Sequence, residues 1–102
     1  MVNAIHLPEG DSAPLELHAQ VQGVVQGVGF RYHTRREARA LAVTGYVKNE
    51  PDGSVFVRAQ GRRSQLYALL QWLHHGPNSA EVSEVSASWR PLGEPHAGFE
   101  VR

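Results

Sequence analysis

The run Gly23-Val24-Val25-Gln26-Gly27-Val28-Gly29-Phe30-Arg31 holds the residues best suited to chemistry. Its three glycines stand four and two positions apart, and an arginine follows two positions after the last. Glycine reaches positive φ freely, so successive backbone amides can turn inward and form a concave nest of donors. A helix beginning where the loop ends adds unpaired amides and the positive end of its dipole. That combination suits a phosphate or a similar anion. Arg31 adds a planar, permanently charged fork that matches phosphate oxygens.

The run is neither of two familiar nucleotide signatures. A Walker loop closes on Gly-Lys-Ser/Thr, whereas Phe30-Arg31-Tyr32 follows the last glycine here. The dinucleotide pattern needs a further glycine where Tyr32 stands. A glycine-rich strand-to-helix turn can also be only a turn, and spacing alone leaves that reading open.

The flanking pattern supplies the elements that position this loop. Leu15, Leu17, Ala19 and Val21 alternate with Glu16, His18 and Gln20, which predicts a strand with one buried face. Phe30, Thr34, Ala38, Leu41 and Ala42 mark one stripe of a helix over about 30–42, with Arg35, Arg36 and Arg39 elsewhere on its surface. Tyr46-Val47-Lys48-Asn49 reads as a strand, Pro51-Asp52-Gly53 as a reversal, and Ser54 to Gln60 as the return strand of a hairpin. Ser64 is the expected N-cap of a helix carrying Leu66, Leu69, Leu70 and Leu73, which Gly76-Pro77 ends. Val85, Ala87 and Trp89 mark a fourth strand, and Phe99 with Val101 a short last one.

This order predicts an α+β fold, the ferredoxin-like split βαβ sandwich. The expected sheet is antiparallel, of four to five strands, with two helices on one face. Such a topology sets the glycine loop beside the hairpin end near Asn49.

At 102 residues the chain holds one domain, read here as residues 15–102 behind a flexible N-terminal extension over residues 1–14 that contains Pro8, Gly10 and Pro14. Formal net charge is zero and the pI is about 7.0, so no long-range field favours nucleic acid or an anionic membrane. The sequence has no cysteine, which excludes disulfides, thiolate metal sites and thiol catalysis. There is no apolar run of membrane-spanning length and no signal-peptide pattern, so a cytoplasmic monomer is expected. The six histidines are dispersed, and His33 alone lies near the glycine loop, where a solvated surface role is expected of it. No metal and no cofactor are expected. Trp72 and Trp89 read as packing residues, and Thr34 as bonding either near the loop or to its own helix backbone.

Val21 to Arg31 resembles the signature of the acylphosphatase family, G-x-V-Q-G-V-G-F-R. Thr34, Glu37-Ala38, Gly45-Tyr46-Val47-Lys48-Asn49, Asp52-Gly53-Ser54-Val55, Gly61, Trp72-Leu73, Gly76-Pro77 and Phe99-x-Val101 follow in the family's order. The resemblance therefore covers about Leu15 to Arg102, an acylphosphatase-like domain over 15–102. It implies a metal-independent hydrolase that cleaves small-molecule acyl phosphates into carboxylate and inorganic phosphate. It also implies that Arg31 binds the phosphate and that Asn49 positions the water, with the amides of Gln26, Gly27, Val28, Gly29 and Phe30 completing the cradle. Two positions depart from the family pattern: Val24 stands where a basic residue is usual, and Tyr46 replaces tryptophan.

An acyl phosphate carries a good leaving group, so its hydrolysis needs positioning and charge stabilisation more than a strong base. The competing class is a non-catalytic ferredoxin-like binding module, for RNA or for handling carbamoyl phosphate. An RNA-binding aromatic motif would lie on the third strand, whereas Gly27 to Tyr32 ends the first strand and opens a helix.

Overall fold

The computed structural model describes residues 13–102, so the extension read over residues 1–14 lies, as far as residue 12, outside the described residues. Seven elements follow the predicted order: β1 (Leu15–Val24), α1 (Phe30–Ala40), β2 (Thr44–Asn49), β3 (Val55–Gly61), α2 (Arg63–Leu73), β4 (Glu81–Arg90) and β5 (Phe99–Val101). The five strands form one sheet in the order β4-β1-β3-β2-β5. Leu17 pairs with Ala59, Ala19 with Val57 and Val21 with Val55, which puts the apolar phase of β1 and β3 on the same face. Those residues and Val47 are buried in one cluster with Phe30 and Ala38 of α1 and Leu66, Leu69 and Leu73 of α2. Both helices thus cover one face of the sheet.

The sheet is mixed rather than antiparallel throughout. β5 runs parallel to β2, with Gly45 opposite Phe99 and Val47 opposite Val101. β4 and β5 are consecutive in the chain but stand at opposite edges of the sheet. The connection over 91–98 crosses one end of the face that the helices leave bare, and the chain then has one direction left in which to run along β2. Two smaller readings also shift. Arg62, not Ser64, caps α2, its amide donating to Gln65 Oε1 at 2.9 Å. α1 stops at Ala40, where Ala42 takes φ 60° and the Val43 amide donates back to the Ala38 carbonyl.

Glu16 departs most from its sequence pattern. Period-two alternation sets it on the polar face of β1, and there it lies, yet only 4% of it is exposed. The crossing connection covers it. Arg58 donates to it from Nε (2.7 Å) and Nη2 (3.1 Å), Gln60 from Nε2 (2.9 Å) and the Gly93 amide at 3.0 Å, with His18 as a further partner. Arg58 and Gln60 also donate to the Glu94 carbonyl, fixing the connection to β3. Burial by itself pushes the Glu16 carboxyl up, but the hydrogen bonds from Arg58, Gln60, His18 and Gly93 together outweigh it and hold the group well below the usual carboxylate range.

A carboxyl lowered in the folded state stabilises the protein above its ordinary value of 4.5, and that contribution fades as pH falls below it. Glu16→Gln is therefore expected to flatten the decline in thermal stability below pH 4.5, measured as Tm against pH. Arg58→Met, which strands the buried carboxylate, should cost about 3–5 kcal/mol in denaturant unfolding at pH 7.

Candidate active site

The loop between β1 and α1 is shaped by two left-handed glycines, Gly27 at φ 76° and Gly29 at φ 80°. An added Cβ would meet nothing within 4 Å at Gly27 and only the His33 ring, at 3.5 Å, at Gly29, so backbone conformation rather than space calls for glycine. Among the described residues, the amides from Gly27 to Phe30 donate to no protein acceptor. Gly29 caps α1 without a side-chain hydrogen bond, and no acidic residue stands in the first turn. The positive end of the helix therefore faces the loop without a local countercharge.

Long-range ties hold this shape. Gln26 donates from Nε2 to the carbonyls of Glu50 and Ser54, both at 2.8 Å, and so bolts the loop to the two sides of the β2–β3 turn. Ser79 Oγ donates to the Val28 carbonyl at 2.7 Å. The Gly29 carbonyl accepts the His33 amide at 3.1 Å and His33 Nδ1 at 2.9 Å, which requires the Nδ1 tautomer to carry the proton. His33 thus braces the loop, beyond the surface role read for it. Thr34 takes the helix-backbone option, donating to the Phe30 carbonyl at 2.8 Å.

A cleft of about 170 Å³ opens over the loop, lined by Val25, Gly27, Gly29, Phe30, Arg31, Tyr32, Asn49 and Val101. Gly27, Gly29, Phe30, Arg31 and Asn49 of the predicted set meet there. Gln26 and Val28 do not line it; the Gln26 side chain turns to the hairpin, and the half-buried Val28 packs against the core. Arg31 Nη1 donates to the carbonyl of Arg102 at 2.8 Å. Asn49 Oδ1 is buried and has no hydrogen-bond partner among the described residues. A buried amide oxygen without a partner is uncommon and marks a position where an outside donor would be welcome. Val24, where the family pattern has a basic residue, is exposed and does not line the cleft.

Sequence reasoning did not place Tyr32 or Val101 at the cleft, nor find that the Arg102 carbonyl holds Arg31. That tie is made by backbone, so no residue type signals it. Among the described residues no three His, Cys, Asp or Glu side chains cluster as a metal site would require, and no helix is long and apolar enough to cross a membrane.

A family profile described as Acylphosphatase matches residues 17–101. The chain is similar to an acylphosphatase of Salinibacter ruber, 48% identical over 84 residues, covering 82% of this chain and 88% of that protein. It is similar to one of Nocardia farcinica, 44% identical over 102 residues and the full length of both. Among solved structures, an acylphosphatase from Coxiella burnetii superposes with a TM-score of 0.82 at 39% identity, covering 87% of this chain and 93% of that one.

Proposed function

This chain belongs to the acylphosphatase family and hydrolyses acyl phosphates, and on that premise we propose how its cleft does so. The phosphoryl group sits in the amide nest of Gln26 to Phe30, with the guanidinium of Arg31 on its oxygens. Asn49 holds the attacking water. The observation that carries this reading is the buried, unpartnered Asn49 Oδ1 in the same cleft as the glycine-loop backbone and Arg31.

Water attacks phosphorus as the bond from phosphorus to the acyl oxygen breaks. The carboxylate leaves with the electron pair of that bond. Loop amides and Arg31 stabilise the charge on the equatorial oxygens as the bond loosens, and they are already oriented before reaction. Asn49 accepts a hydrogen bond from the water and orients it, but it cannot take its proton. That proton passes to a phosphate oxygen of the substrate, and the products are a carboxylate and dihydrogen phosphate. No titrating side chain enters this scheme.

The setting we propose is a cytoplasmic monomer acting on a small substrate, without nucleic acid. The absence of cysteine suits a reducing compartment, and the zero net charge offers nothing to a polyanion. The direct test is release of inorganic phosphate from an aromatic acyl phosphate after exhaustive EDTA dialysis. Turnover should persist without added divalent ion. Loss on chelation, restored by Mg²⁺, would contradict the metal-free scheme.

A further inference from the structure

The cleft has two chemistries. Gly27, Gly29, Arg31 and Asn49 bring polar groups to its lining, and Val25, Phe30, Tyr32 and Val101 bring apolar ones. Of the apolar four, Val25 and Phe30 are 1% and 2% exposed and belong to the core, whereas Tyr32 is 54% exposed and Val101 37%. Single exposed apolar side chains need no explanation. Here two of them, one from α1 and one from β5, line the same cleft as Arg31 and Asn49. The Tyr32 ring is also oriented without being buried: His33 meets it edge-on at 5.5 Å, and the Arg35 guanidinium lies 5.5 Å from its centroid.

An acyl phosphate has the same two-part character. With its phosphoryl group in the nest, its acyl group must extend into the rest of the cleft. We propose that Tyr32 and Val101 form an acyl-group subsite that favours acyl phosphates with an aromatic or bulky apolar acyl part. This rests on the phosphate-cradle reading given above. A phenyl ring removes far more apolar area from water against these side chains than a methyl group does, and it can pair with the Tyr32 ring at offset or edge-on geometry. The subsite acts on substrate choice and leaves the phosphate contacts to the loop.

The experiment compares kcat/KM for benzoyl phosphate and acetyl phosphate in the full chain, in Tyr32→Ser, Val101→Ser and Tyr32→Phe. The benzoyl-to-acetyl ratio should fall about tenfold in Tyr32→Ser, within the range a lost apolar contact commands. It should fall in Val101→Ser as well and hold in Tyr32→Phe, which keeps the ring. An unchanged ratio in both serine variants would overturn the subsite, whatever happens to the absolute rates. Hydrolysis of neither substrate by the parent protein, or hydrolysis that survives intact in Arg31→Gln, would instead overturn the cradle reading on which the subsite depends.

Discussion

Arg31→Gln should lose at least about 100- to 1,000-fold in kcat while remaining folded, the usual effect of removing a preorganised donor from a site of developing charge, about 3–4 kcal/mol. Arg31 occupies the first turn of α1, lines the cleft, and spends one donor on the Arg102 carbonyl at 2.8 Å. A guanidinium has five N–H donors, so that tie fixes the fork and still leaves donors for a phosphoryl group. Glutamine keeps some length but loses both the charge and the fork. Steady-state kinetics beside a circular dichroism spectrum would check this. Near-normal turnover in the variant would remove Arg31 from the mechanism.

Asn49→Ala is the second large effect, and it separates function from stability. Its Oδ1 is buried without a partner, an arrangement that disfavours the folded state by about 1–3 kcal/mol. Alanine removes that oxygen, so Tm should hold or rise. Positioning of the water is lost at the same time, and kcat should fall about 100-fold. Competitive inhibition by inorganic phosphate should stay near its parent value, because the nest and Arg31 are untouched. If inhibition weakens in step with kcat, Asn49 contacts phosphate and the role proposed for it fails.

The sequence discloses the loop because a nest is local backbone chemistry: Gly27 and Gly29 are adjacent to the helix they serve, and their spacing is visible without a fold. The hairpin and both helices follow from period and punctuation for the same reason. What stays hidden depends on distant chain. Glu16 follows the polar phase of its strand faithfully, and its burial comes from a connection more than seventy residues later. β5, at three residues, carries too little pattern to announce that it runs parallel to β2. Asn49 has no chemistry in its own neighbourhood that points to water; family resemblance singled it out, and the unpartnered Oδ1 supplies a physical reason. Gln26 was read through its backbone amide alone; the brace its side chain makes between loop and hairpin depends on carbonyls 24 and 28 positions later.

The ties around the loop bear on the order of events as the chain leaves the ribosome. Gln26 waits for carbonyls 24 and 28 positions later, Val28 for a hydroxyl 51 positions later, and Arg31 for a carbonyl 71 positions later. A nascent chain that stops before Ser79 already contains every residue proposed to touch phosphate, yet it lacks two of these four ties. β1 also remains without its β4 neighbour until residues 81–90 emerge. Contacts this far apart in sequence close late, after the entropy of long loops has been overcome. Binding competence therefore arrives with the last strand, and a truncated translation product would carry the full signature with little capacity to hold the anion.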